Sequence, residues 1–341
     1  MTIPRPLRAA LLVFTGLLAT SPAQEPRQRR LGVFLWHDSP NDLATLTGIR
    51  TAIERSGLPH TFVERRADAD RDRAKAALRE LQEARCDLVF ALGTQGALLA
   101  KDTFLDVPIV FAAVSDAVAS GLVPDWGGSG INMCGASNWI PPANVLDVFR
   151  LAVPRCERLG VIRTKTSGVV STAEVAQMRA HLATRDAPHI ELHEAVAGDA
   201  AGLGDAVRRL LDARVDAIWI PIDITVYQNV AAIQSALDGA KVPLVTTAAA
   251  AVRNGAHVGA AVDYELHGRR AGALALEVLV RGRNPATLPV DRMRGVVVSV
   301  NLASARGAGI DLPLSLLAVA DDLIATTAAP GAGANDGRRD R

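Results

Sequence analysis

Seven short polar segments, each following an apolar run, hold the side chains of this chain best suited to chemistry. They are Trp36-His37-Asp38-Ser39, Gly93-Thr94-Gln95-Gly96, Ala113-Val114-Ser115-Asp116, Thr164-Lys165-Thr166-Ser167, Pro221-Ile222-Asp223-Ile224-Thr225, Thr246-Thr247-Ala248 and Val262-Asp263-Tyr264. The chemistry they suit is capture of a small charged molecule. In Gly93-Thr94-Gln95-Gly96 the glycine lets the backbone turn, Thr94 can cap, and Gly96 to Ala100 open a helical run. Free N–H groups at such a start favour an anion such as a carboxylate, while the bland alternative makes Thr94 an N-cap only. A helix terminus contributes roughly 0.3–1 kcal/mol, against roughly 8 kcal/mol for micromolar binding. Several segments must therefore converge on one ligand.

The acids divide by setting. Ser115-Asp116 follows the apolar run Val107 to Ala113 and suits either a cap or a ligand contact. Asp223 comes straight after Ile218-Trp219-Ile220-Pro221. A carboxylate there must meet a cation, a donor or water, so it either takes a ligand ammonium or caps the next helix. Asp263-Tyr264 repeats the pattern, with a ring and a hydroxyl added by Tyr264. Trp36 can stack on a ligand or belong to the core, and His37 reads as a loop histidine. The chain has no GxxxxGK loop, no HExxH, no CxxC and no GxSxG elbow, and its seven histidines show no ligand spacing. No cofactor and no metal are expected, and holding a ligand is a better reading than converting one.

The elements that must position these segments are written twice. Arg30-Leu31-Gly32-Val33-Phe34 matches Arg158-Leu159-Gly160-Val161-Ile162, and His60-Thr61-Phe62-Val63 aligns with His189-Ile190-Glu191-Leu192. Ala84-Arg85-Cys86-Asp87-Leu88-Val89-Phe90 matches Ala213-Arg214-Val215-Asp216-Ala217-Ile218-Trp219, and Val107-Pro108-Ile109-Val110 matches Val242-Pro243-Leu244-Val245. Each piece is a short apolar run of the kind that forms a strand buried on both faces. Helical patterns lie between them, over Asn41–Ser56, Asp70–Arg85, Ala173–Arg185 and Ala200–Arg214. Alternating strands and helices imply right-handed crossovers and parallel sheets. The fold expected is α/β, with two tandem Rossmann-like lobes hinged on each other. Ligands of such sheets sit beyond the carboxyl ends of the strands. The glycine-rich stretch Asp125 to Asn138 suits a crossing between lobes, and the helical run Leu266 to Arg281 falls outside the second copy.

Composition sets the outer limits. The 341 residues are 49% apolar, with 37 basic and 36 acidic side chains, too balanced for a nucleic-acid-binding surface. Three cysteines cannot form a disulfide framework, though one pair is open in an oxidising compartment. Residues 1–23 read as a cleaved signal peptide: Arg5 and Arg8, the apolar run Ala9 to Leu18, then Ser21-Pro22-Ala23. Its removal leaves 35 basic against 36 acidic groups, a net −1. Residues 325–341 read as a disordered tail. The mature protein is expected to be a periplasmic monomer.

With those residues in place, the chain resembles the periplasmic solute-binding proteins of ABC importers, in the type I group with tryptophan- and tyrosine-binding members. The resemblance runs from about Leu31 to Ile324. It is carried by Leu92-Gly93-Thr94-Gln95, by Val107 to Asp116, by Asn301 with Gly309-Ile310-Asp311-Leu312-Pro313, and by Gly268, Gly282 and Pro285. It implies a hinged protein that closes on a small ligand and docks onto a membrane permease. It also implies an N-terminal lobe of 31–137 plus about 264–295 and a C-terminal lobe of 138–263 plus about 296–324. In such proteins the first lobe holds a ligand carboxylate, here at Thr94, Ala113 and Ser115. An acid of the second lobe takes the ammonium, here Asp223 with Asp263 in reserve. Two departures stand out: Asp116 is followed by Ala117 where similar sequences have Pro, and Ile224 stands where many have Asn. A sensory module for a kinase or receptor, and an exported enzyme using Asp116 and Asp223, are the competing functions.

Overall fold

The computed structural model describes residues 27–165, 168–293 and 295–325. The signal segment, Thr166, Ser167 and the tail from 326 lie outside the described residues. The first sheet contains β1 (Arg29–Leu35), β2 (His60–Arg66), β3 (Leu88–Leu92), β4 (Ile109–Val114), β5 (Met133–Ser137) and the late strand β11 (Asp291–Arg292). Its spatial order is β11-β5-β4-β3-β1-β2, parallel throughout. The second contains β6 (Arg158–Thr164), β7 (Glu191–Ala197), β8 (Ala217–Ile220), β9 (Leu244–Thr246), β10 (Val258–Ala261), β12 (Val297–Asn301) and β13 (Asp322–Ile324). Its order is β13-β12-β10-β9-β8-β6-β7, parallel except where β12 runs antiparallel to β10. Two α/β lobes therefore stand side by side.

Helices α1 (Pro40–Arg55), α2 (Arg71–Glu83) and α3 (Thr94–Thr103) follow β1, β2 and β3. In the second half come α4 (Pro142–Ala152), α5 (Gly168–Leu182), α6 (Leu203–Asp212), α7 (Ile224–Gln228), α8 (Val230–Leu237) and α9 (Ala249–Arg253). The long α10 (Tyr264–Leu279) and the short α11 (Leu302–Gly307) and α12 (Leu314–Leu317) complete the set. The starts are chemically marked. Ser39 accepts the Asp42 N–H ahead of α1, with Pro40 in the first turn, and Asp70 accepts those of Asp72 and Arg73 ahead of α2.

Period-two alternation sends the strand side chains to both faces. In β1, Leu31, Val33 and Leu35 pack with Leu46, Ile49 and Ile53 of α1 and Ala271 and Ala275 of α10, while Phe34 packs with Leu78, Leu81 and Ala97 on the other face. In the second sheet Leu159, Val161 and Trp219 meet Phe149, Val175 and Met178, and Ile218 and Ile220 meet Leu203, Val207 and Ile233.

The chain passes between sheets after β5, after β10 and after β11. The stretch Asp125 to Asn138, expected to be the crossing, contains β5; the passage falls just beyond it. Cys134 is consequently buried in the first sheet, and all three cysteines are free. Helix α10 packs on α1, β4 and β5 of the first sheet. The approach is close because both helices present glycine: a Cβ on Gly268 would lie 1.9 Å from the Thr45 carbonyl oxygen, and one on Gly48 would lie 2.0 Å from that of Glu265.

Candidate functional site

The carboxyl ends of the two sheets meet around α10's first turn. Gly93, at φ +83°, holds the N-cap position of α3, one residue ahead of Thr94, so the start of α3 has no side-chain cap. Its first-turn N–H groups are left for an anion. Thr94 is half-buried beside it and Gln95 is exposed. Trp36 is half-buried and packs on the first-lobe core next to Gly93 and Gly96.

The β4–β5 pairing slips between Phe111 and Val114, and Ala113 at φ +54° occupies the bulge. Ser115 is exposed beyond it, and its carbonyl accepts the Ser137 hydroxyl at 2.9 Å. Asp116 takes the N–H groups of Val118 and Ala119 at 3.1 and 2.9 Å, and its other oxygen lies 3.5 Å from Gln177 Nε2 on α5. Gln177 Oε1 accepts the indole N–H of Trp139, in the first crossing, at 3.1 Å. This side chain ties α5 of the second lobe to the first lobe's rim.

Asp223 is fully buried, and its oxygens are occupied from within. It caps α7 through Val226 N–H at 3.1 Å and takes the Thr164 N–H and hydroxyl at 2.6 and 2.9 Å. Asp263 caps α10 through Leu266 N–H at 2.8 Å and lies 4.0 Å from Arg269. Tyr264 is half-buried; its oxygen accepts Asn138 Nδ2 at 3.2 Å, and burial pushes its pKa up to about 12. It is a neutral hydroxyl at working pH.

Sequence reasoning missed Glu174, in the second turn of α5. Its carboxylate accepts the Ile222 N–H at 2.6 Å and forms no ion pair with a described basic group. Burial is the largest influence on it and pushes its pKa up to about 7, against the hydrogen bond from Ile222 and the nearby Thr247 hydroxyl. Its charge is felt at Tyr264, together with those of Asp42 and Tyr227. Asp42, by contrast, is partnered: His37 Nδ1 lies 2.6 Å away, and that hydrogen bond raises the histidine pKa. Asn138 is buried and its Oδ1 has no partner among the described residues. The helix expected over Ala173–Arg185 runs Gly168–Leu182, so Glu174 lies in its second turn, where its carboxylate reaches Ile222 just beyond β8.

Among the described residues no group of three or more His, Cys, Asp or Glu side chains could hold a metal, and no helix is long and apolar enough to cross a membrane. A cavity of about 540 Å³ lies beside the first crossing, lined by Trp126, Trp139, Arg270 and Arg292 and by none of the sequence-predicted site residues.

Two tandem parallel-sheet α/β lobes of this order define a class of ligand-binding proteins, and comparison with known proteins places the chain within it. Residues 31–324 match the family of ABC transporter substrate binding proteins, and the chain belongs to that family. It is 26% identical over 215 residues to a tyrosine-binding protein of Clostridioides difficile (strain R20291), covering 63% of this chain and 61% of that one. The chain thus spans about three fifths of that relative's length. The fold is shared with an ABC domain from Streptococcus pneumonia solved in complex with L-Trp: TM-score 0.70, 22% identity, 87% of this chain and all of the other. It is shared too with the ligand-free, open form of a substrate-binding protein with adhesive properties from Clostridium difficile: TM-score 0.75, 22% identity, 84% and 96% covered.

Proposed function

We propose that this chain is the exported, extracytoplasmic solute-binding component of an ABC importer, that it carries an amino acid, and that it binds its ligand without converting it. The ligand's carboxylate lies at the uncapped start of α3, with Thr94 and Ser115 beside it. Its ammonium lies at Glu174, which replaces Asp223 in that role because the Asp223 oxygens are filled by Thr164 and Val226. The observation that carries this reading is a desolvated carboxylate on α5 that accepts the Ile222 N–H and pairs with no basic side chain among the described residues. A ligand ammonium supplies the missing charge, and a charge-assisted hydrogen bond is about twice as strong as a neutral one. The tryptophan and tyrosine named for the relatives set the first compounds to try. A membrane permease is the expected partner, and the chain acts as a monomer with no nucleic-acid role.

The test is calorimetric titration of the purified protein with the common amino acids and with small carboxylates lacking an amine. Binding of at least one amino acid, weakened about tenfold or more in Glu174→Gln, is expected. Failure of every compound to bind rejects the reading. Equal binding by the Glu174→Gln variant rejects the ammonium assignment alone.

A further inference from the structure

We propose that His267 is a positioning residue of the ligand site: from α10 its imidazole holds Ala113 in the left-handed conformation that aims the Val114–Ser115 turn into the cleft. This rests on the reading above in placing Ser115 at a ligand carboxylate. The β3–β4 ladder ends at Ala112, and β5 skips from Phe111 to Val114, so Ala113 has no strand acceptor for its N–H. That N–H donates to His267 Nε2 at 2.9 Å. At φ +54° an alanine is strained and needs an external hold. The next residues are fastened to the first crossing: Val114 C=O accepts the Asn138 N–H at 3.0 Å, and Ser115 C=O accepts the Ser137 hydroxyl. The histidine bond thus joins the Ala113 bulge directly to α10, whereas Val114 reaches α10 only through Asn138 and Tyr264.

The imidazole must be neutral for this, with its proton on Nδ1. It is fully buried, and burial, with Arg270 as a lesser cause, lowers its pKa to about 4. Nδ1 has no partner among the described residues. A buried N–H without an acceptor is a standing cost. A leucine would fill the space without that cost, so what the ring adds is the acceptor at Nε2. The neighbouring Gly268, pressed on the Thr45 carbonyl, fixes how far the ring reaches.

The experiment is a cycle of His267→Leu and His267→Gln, each made in the wild-type background and in the Ala113→Gly background, because glycine adopts positive φ without strain. Affinity for the best amino acid from the panel is measured alongside thermal unfolding. His267→Leu is expected to weaken binding about tenfold in the wild-type background and less than about threefold in the Ala113→Gly background. His267→Gln, which restores an acceptor, stays within about threefold in both. Equal losses in both backgrounds, or no difference between the two substitutions, would overturn the role. A crystal structure of the His267→Leu variant reads the same point without any ligand. Ala113 leaving the left-handed region supports the proposal, and an unchanged bulge refutes it. If the wild type binds no amino acid, only the ligand reading fails and the crystallographic arm still decides.

Discussion

At the lower edge of the first sheet Arg85 turns at φ +51°, and Asp87 takes the Arg30 N–H at 2.8 Å. At the same place in the second, Arg214 turns at φ +54°, and Asp216 takes the Arg158 N–H at 2.8 Å. Cys86 and Val215 occupy the step between, each 3.1 Å from where a Cβ on Gly32 or Gly160 would stand. At the upper edge this likeness ends. After β3 the helix start is left open at Gly93, whereas after the equivalent β8 Asp223 closes it. The lower edge only has to join a helix to a strand, and one solution serves twice. On the proposed reading the upper edges face one ligand from opposite sides, so the first lobe keeps free donors at Gly93 while the second caps its own with Asp223 and offers Glu174 from α5.

The lobes also differ in how α10 clasps the first, and breaking that clasp gives the largest effect expected. In Gly268→Ala the new methyl would stand 1.9 Å from a carbonyl oxygen on α1, backbone that cannot step aside. Overpacking of this kind should cost about 3 kcal/mol or more in denaturant unfolding. The first lobe should bear the loss, with hydrogen exchange accelerated in α1 and β1 before β6 and β8. Equal acceleration in both lobes would show that the clasp is not local to one.

Next in size is Asp223→Ala. It strips partners from the buried Thr164 and Val226 N–H groups and should lower stability by about 2–4 kcal/mol. Amino-acid affinity of the folded variant should change less than about threefold. A larger loss of affinity with stability intact would return the ammonium to Asp223 and undo the contrast between the two helix starts.

The pH dependence sharpens the same contrast. The Glu174 pKa is raised by burial to about 7, so the folded state favours its protonated form. The stability contributed by that form is fully present below the ordinary carboxylate pKa and is lost as pH rises from about 4.5 through 7. Glu174→Gln should therefore gain in Tm relative to the wild type across that interval. Ligand binding should run the other way, because an ammonium needs the ionised carboxylate: affinity rises with pH up to about 7 in the wild type and flattens in the variant. A wild-type profile already flat between pH 5 and 8 would remove Glu174 from the site.

Much of the architecture was legible because it depends on pattern. Buried strands are continuous apolar runs, and two copies of Arg-x-Asp ahead of a strand betray the duplication. The lobe fold follows from that periodicity and agrees with the family to which the chain belongs. The tips were legible as segments, since strand ends are predictable, but not as contacts. Asp223 and Glu174 are both acids near strand ends. What separates them is that Thr164 and Val226 donate to Asp223, whereas Ile222 donates to Glu174. The Val226 bond is a local cap, but the Thr164 and Ile222 bonds join residues 59 and 48 positions apart and have no periodic trace. His267 was invisible for the same reason: its partner Ala113 lies 154 residues away.

The smallest effect is the most direct check on the duplication. Asp87→Ala frees the Arg30 N–H and releases Arg29, 3.2 Å away. Asp216→Ala frees the N–H groups of Glu157 and Arg158, each bonded at 2.8 Å. Both carboxylates receive backbone donors at the foot of the first strand of their lobe, so each loss should be about 1–2 kcal/mol, with the two within about 0.5 kcal/mol of each other. Neither change should move ligand affinity, because both lie at the opposite end of the sheet from the cleft. A large disparity in stability would mean that the matching sequence at the two edges performs different work in each lobe. A change in affinity without one would mean that the lower edge sets the approach of the upper.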